Sequence, residues 1–123
     1  MDDHIYFFDS YAIIKILKGS PFYEPYENAT IIITKLNLFE VYYSLLRENG
    51  MEMAKKFLEN YSQYVMDFDT DVIEEACAFH LFHKKRNISM TDSIGYSFAK
   101  KLGIEFLTGD KEFNAFENVV FVK

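Results

Sequence analysis

His4-Ile5-Tyr6-Phe7-Phe8-Asp9-Ser10 decides the fold: an unbroken apolar run is closed by an acid and a small hydroxyl residue. A run this short, without polar alternation, marks a strand buried on both faces, as in a parallel sheet covered by helices. Thr30-Ile31-Ile32-Ile33 has the same character. Each run leads into a helical stretch, Ser10 to Lys18 before Gly19-Ser20-Pro21 and Lys35 to Glu48 before Asn49-Gly50. In the second stretch Leu36, Phe39, Tyr43 and Leu46 recur at helical spacing and are expected to face the core. Met51 to Tyr61 then sets Ala54, Phe57, Leu58 and Tyr61 on one stripe, so this crossover is predicted to be a helical hairpin.

Tyr64 to Phe68 reads as a third strand, Thr70 to Lys85 and Thr91 to Leu102 as helices, and Ile104 to Leu107 and Val119 to Val122 as the last strands. The alternation predicts an α/β chain with an open parallel sheet and helices on both of its faces. With 123 residues, half of them hydrophobic, residues 1–123 are expected to form a single domain with one substantial core. The lone cysteine, Cys77, lies among Ala76, Ala78 and Phe79 and is expected to be a small buried hydrophobe, which suits a reducing cytoplasm. Met1-Asp2-Asp3-His4 has the wrong sign for a signal peptide, and no apolar run approaches the ~20 residues of a membrane helix. A soluble protein that is not exported is expected.

The formal charge of −6 argues against a passive nucleic-acid coat held by charge alone. It does not exclude an enzyme whose acids hold cations, because four carboxylates contribute about −4 and two divalent ions would return about +4. The basic clusters Lys84-Lys85-Arg86 and Lys100-Lys101 read as solvated helix ends.

In open α/β sheets ligands bind beyond the carboxyl ends of the strands, at the point where neighbouring crossovers leave to opposite faces. Asp9 stands one step past the first strand, and Asp110 follows the fourth through Thr108-Gly109. With the first strand central and the fourth beside it, both carboxylates enter one crevice. Glu40 sits beside an apolar stripe, and a half-buried carboxylate needs a cation, a hydrogen-bond network or a metal. No Lys or Arg lies one turn away on that face, which favours the metal, although a partner from elsewhere in the chain stays open. Asp92 opens the helix whose core stripe is Ile94, Phe98 and Leu102. Ser89-Met90-Thr91-Asp92 is also close to a capping box, and an acid in a first helical turn is stabilised by the helix dipole without any function.

These residues resemble the PIN-domain family over essentially the whole chain, and in particular its compact VapC-type toxins. Phe7-Phe8-Asp9-Ser10-Tyr11-Ala12 is similar to the family's opening strand and first acid, and Asn37-Leu38-Phe39-Glu40-Val41 to its helix-borne Glu. Ile88-Ser89-Met90-Thr91-Asp92-Ser93-Ile94 is similar to the third-acid segment, and Leu107-Thr108-Gly109-Asp110-Lys111-Glu112-Phe113 to the last motif. The resemblance implies an α/β/α sandwich with strand order 3-2-1-4-5, Mg²⁺ or Mn²⁺ at the four acids, and endoribonuclease activity. It also implies a small antitoxin partner and a homodimer. Ser93, Gly95 and Tyr96 depart from the small aliphatic residues usual after the third acid, so helix packing there is expected to differ. Hard divalent ions take oxygen ligands, which makes Asp9 and Asp110 candidate direct ligands and Glu40 and Asp92 ligands or positioners. Ser10 and Thr108 are candidates to hydrogen-bond those ligands or metal-bound waters.

Other features have simpler readings. Asp71 and Glu74 have capping-box spacing, so the acidic run Asp67, Asp69 and Asp71 is expected to start a helix. His80 and His83, at i and i+3, lack the cysteine pair or carboxylate motif of a zinc site. Most of the aromatic residues must fill the core, with Tyr11 the best placed to stack on a base. A phospho-acceptor signalling domain would also suit a chain of this size, but it needs a second acid beside Asp9, an acceptor Asp ending a central strand and a late Lys. Asp67-Phe68-Asp69 is the nearest acceptor candidate, and no convincing Lys precedes Lys123. A catalytically idle PIN-like binding module is a further alternative, against which the presence of all four acids argues.

Overall fold

A computed structural model describes residues 4–123, and the acidic start Met1-Asp2-Asp3 lies outside them. Strand β1 (Ile5–Phe8) leads into α1 (Ser10–Leu17), and β2 (Thr30–Ile32) into the hairpin of α2 (Lys35–Asn49) and α3 (Met51–Tyr61). Helices α4 (Thr70–Phe82) and α5 (Met90–Leu102) follow, then β3 (Glu105–Thr108) and β4 (Val119–Phe121). The sheet is parallel throughout, in the order β2-β1-β3-β4, with Phe7 paired to Ile32 on one side and to Phe106 on the other.

Alternation along β1 and β3 divides the core. Tyr6, Phe8 and Leu107 face α1, α2 and α3, while Phe7 and Phe106 face α5 and, beyond it, α4. Phe7, Phe8, Phe106 and Phe113 are all fully buried. Each contributes about 1.5–3 kcal/mol of apolar burial, so four rings anchor the sheet between its layers.

The expected third strand, Tyr64 to Phe68, does not form. It is reduced to one parallel bridge, Ile33 to Val65, with Ile33 N–H donating to the Tyr64 carbonyl and Met66 N–H to that of Ile33. Because Thr34 already caps α2, the neighbouring edge has a single residue left to pair with. The predicted order 3-2-1-4-5 therefore survives with its outermost member shrunk to a bridge, leaving four strands.

Helix α2 also turns a different face inward. Phe39 is 76% exposed and Tyr43 59%, whereas Asn37, Leu38, Val41 and Leu45 are buried. Apolar residues occupy two helical phases here, and periodicity could not choose between them. Likewise Cys77 is exposed, because Val72 and Ala76 take the buried stripe of α4. That helix ends at Phe82 instead of continuing to Lys85.

The departure noted after Asp92 has a packing cause. Residues Ser93 to Ala99 of α5 are buried without interruption, and the helix lies against the sheet at Gly95. A Cβ there would stand 2.7 Å from Phe7 Cε1 and 3.1 Å from Phe106 Cε1. Those two rings stack at 5.7 Å and have no room to retreat. In Gly95→Ala the gain in helix propensity, about 1 kcal/mol, is set against roughly 1–3 kcal/mol of overpacking. We expect a lower urea midpoint at unchanged slope; a higher midpoint would mean that the Phe7 ring gives way freely.

Candidate functional site

At the carboxyl ends of β1 and β3 a cleft of about 480 Å³ is lined by Asp9, Ser10, Tyr11, Glu40, Ser89, Asp92, Gly109, Asp110 and Lys111. All four acids singled out in the sequence are among these residues, each brought there by a different element. Asp9 caps α1, its Oδ1 accepting Ala12 N–H at 2.7 Å, and its other oxygen accepts the Thr108 hydroxyl at the end of β3. Thr108 Oγ1 in turn accepts Asp110 N–H at 3.0 Å. Asp110 caps the short 3-10 turn Lys111–Phe113 through Glu112 N–H at 2.9 Å. Thr108 therefore links both strand-end acids.

Glu40, on α2, is half-buried and accepts the Ser10 hydroxyl at 2.7 Å. Asp92 lies in the first turn of α5 and lines the cleft. Ser89 is the cap of α5 and accepts Asp92 N–H at 3.0 Å, which leaves the Asp92 carboxylate to line the cleft.

Among the described residues no Lys or Arg forms an ion pair with any of the four carboxylates. The consequence is electrostatic. Burial and then the charge of Asp92 push the Asp9 carboxyl up to about 8, against the hydrogen bonds from Thr108 and Ala12, with a smaller push from Asp110. Burial, Glu40 and Asp110 raise Asp92 to about 6, opposed by Ser89.

Positive charge would suit the cleft. As the side chains stand, no three His, Cys, Asp or Glu among the described residues form a closed cage for one ion. The donor set instead fits a cation that keeps several waters and takes one or two carboxylates, which is how Mg²⁺ is usually held.

Residues outside the cleft find structural partners. Lys101 pairs with Asp69 at 3.0 Å and Asp71 at 3.2 Å, and Lys100 with Glu117 at 3.1 Å, so Asp69, Asp71 and this basic pair are structural. The cap of α4 is Asp69, not Asp71, and its carboxylate accepts from Lys101. Arg86 lies over the Phe116 ring at 5.0 Å and beside Glu112 at 3.7 Å. His83 packs on Phe79 and Phe116, and His80 Nδ1 is 3.3 Å from Ser93 Oγ.

Lys111, Gly109 and Asn37 carry more of the site than sequence reasoning assigned them. Lys111 is the cation that lines the cleft, and its place directly after Asp110 was the available signal. Gly109 leaves room for aromatic neighbours, since a Cβ there would lie 2.2 Å from Tyr11 Cε1 and 2.6 Å from the Tyr23 hydroxyl.

A parallel α/β sheet flanked by helices, with acids gathered beyond its strand ends, defines a doubly wound domain built around an anionic cleft. The chain belongs to the PIN domain family, whose sequence profile matches residues 6–119. A toxin-antitoxin complex from Klebsiella pneumoniae superposes with a TM-score of 0.77 at 18% identity, covering 94% of this chain and 95% of that one. VapC20 of Mycobacterium tuberculosis, described as a sarcin-ricin loop cleaving toxin, gives 0.76 at 19% identity over 96% and 99%. VapBC2 from Rickettsia felis, bound to a fragment of promoter DNA, gives 0.73 at 19% identity over 97% and 99%. At these identities the likeness is one of fold. No curated protein matches by sequence.

The raised pKa values of Asp9 and Asp92 give stability a pH dependence. Below its ordinary value of 3.8 the Asp9 carboxyl is protonated in both folded and unfolded chains, and its contribution is fully present. As pH rises toward about 8 the unfolded chain has lost the proton while the folded chain still holds it, so stability drains away. Asp9→Asn carries no such proton. In chelator the variant should gain on wild type steadily between pH 4 and pH 8, reading pH from the two values above. Thermal unfolding with EDTA across that range checks this, and a difference that does not vary with pH would contradict it.

Proposed function

We propose that this chain is a divalent-metal-dependent endoribonuclease of the PIN type, acting as the toxin of a toxin-antitoxin pair. The observation that supports it most is the lining of one cleft by Asp9, Glu40, Asp92 and Asp110, with no described basic side chain ion-paired to any of them. Outside the cleft Asp69, Asp71 and Glu117 are paired with Lys101 and Lys100, whereas no described Lys or Arg is ion-paired to the carboxylates of the cleft. A site that gathers like charges at a cost in stability needs a ligand of opposite sign.

Asp9 and Asp110 would hold Mg²⁺ or Mn²⁺, with Glu40 and Asp92 as further ligands or as acceptors for waters around the ion. A bound ion supplies a lowered water pKa and charge to steady the leaving oxygen. Thr108 keeps Asp9 and Asp110 in register, and Ser10 does the same for Glu40. Lys111 is placed to meet a phosphate oxygen, and the Tyr11 ring, 42% exposed at the cleft, offers a base a stacking surface. Attack by water on phosphorus breaks the P–O3′ bond and leaves a 5′-phosphate and a free 3′-hydroxyl.

The fold relatives include VapBC complexes, which favours a small antitoxin as partner, and a homodimer in a reducing cytoplasm accords with this reading. Among the described residues no helix is long and apolar enough to cross a membrane. The phospho-acceptor alternative draws no support from Asp67-Phe68-Asp69, which does not end a strand, with Asp69 instead capping α4 and pairing with Lys101.

RNA cleavage should stop on adding EDTA and fall by orders of magnitude in Asp9→Asn and Asp110→Asn, while Asp71→Asn, outside the cleft, retains it. Lys111→Ala should weaken RNA binding and flatten its salt dependence by about one phosphate contact. Cleavage that persists in chelator would exclude the metal mechanism.

A further inference from the structure

Asn37 is 2% exposed and Thr34 1%, at the start of α2 and one turn before Glu40. Thr34 N–H, which can only donate, lies 2.9 Å from Asn37 Oδ1, and the Thr34 hydroxyl donates to the same oxygen at 3.0 Å. That contact settles which end of the Asn37 amide is which. Its Nδ2 must therefore face Ser10, where it donates to Oγ at 3.1 Å. Ser10 Oγ, already accepting from Asn37, turns its own proton to Glu40 Oε1 at 2.7 Å. Each donor in this chain has one acceptor, so the polarity of the whole row is set by a single backbone N–H.

The row also joins two separate parts of the cleft. Ser10 is the first residue of α1, next to Asp9, whereas Glu40 rides on α2. No other hydrogen bond of the Glu40 carboxylate occurs among the described residues. We propose that Asn37 is a positioning residue for the acid cleft: its amide, polarised by Thr34, aims the Ser10 hydroxyl at Glu40 and so sets where that carboxylate stands relative to Asp9. Asn37 touches no reacting group and acts through Ser10. The consequence for turnover rests on the nuclease reading above, whereas the consequence for the Glu40 position does not.

Asn37→Asp separates this role from capping. The new carboxylate still accepts from Thr34 at the helix N-terminus, so the α2 cap is retained, while its burial near Glu40 lowers the melting temperature. In its ionised form it cannot donate to Ser10, whose proton is then drawn away from Glu40, so the comparison is made on the alkaline side, where that form prevails. Ser10→Ala breaks the same link without touching the cap. Crystal structures of Asn37→Asp should show Glu40 displaced from its Ser10 contact. Both variants should lose about 10-fold or more in kcat on RNA at similar KM, with an altered Mn²⁺ dissociation constant by calorimetry in the absence of RNA. If Asn37 works through Ser10, the double variant is no worse than Ser10→Ala alone. An added negative charge acting directly would penalise both backgrounds equally. The proposal is overturned by Glu40 staying on Ser10 in Asn37→Asp, by wild-type turnover in Ser10→Ala, or by additive losses in the double variant. Should wild type neither bind Mn²⁺ nor cut RNA, the nuclease reading fails and the Glu40 position in the variant crystals still decides the relay.

Discussion

Asp9 is where the demands of the fold and those of the site meet in one carboxylate. It is almost fully buried, its backbone N–H continues the β1–β3 ladder to Leu107, and its side chain both caps α1 and accepts from Thr108. A carboxylate in that position is hydrogen-bonded enough to be tolerated, yet it faces Asp92 and Asp110, and no described Lys or Arg is ion-paired to it. The hydrogen bonds favour its ionised form, while burial and like charge oppose it, and the opposing effects win in the folded chain. The structure is thus held at its centre by a group that a bound cation would relieve.

The other acids depend on how closely the layers approach this point. Gly95 lets α5 rest on the stacked rings of Phe7 and Phe106, which sets the start of that helix, and with it Asp92, at the edge of the cleft. Ser89 absorbs the capping duty that Asp92 could have taken. On the opposite face, Asn37 is buried beside Leu38 while Phe39 and Tyr43 point to solvent, so α2 presents Glu40 at the boundary between core and cleft. Burial of a polar amide is acceptable here because both ends of it are bonded, Oδ1 by Thr34 and Nδ2 by Ser10.

The same accounting explains the acids that lie elsewhere. Asp69 and Asp71 share Lys101, and Glu117 has Lys100, so each of these carboxylates has a cation within reach at the surface. What sets the cleft apart is that its acids are partly or wholly buried and held together with no ion pair among the described residues.

Much of the architecture was legible in the residues. Unbroken apolar runs at β1 and β2 implied burial on both faces, hence parallel pairing and covering helices, and an acid one step beyond a strand pointed to the switch-point crevice. Periodicity failed where two apolar phases overlapped, so the buried face of α2 and the exposure of Cys77 were misread; a choice between phases depends on which neighbour is packed against the helix. The segment around Val65 had strand composition but only Ile33 to pair with, a matter of the partner's length and not of its own sequence. In the site, the four acids were recognisable by position and type, whereas the roles of Lys111, Gly109 and Asn37 were not. Those roles exist only through distances between residues far apart in the chain, and such distances are set when the sheet and its two helical layers close around Asp9.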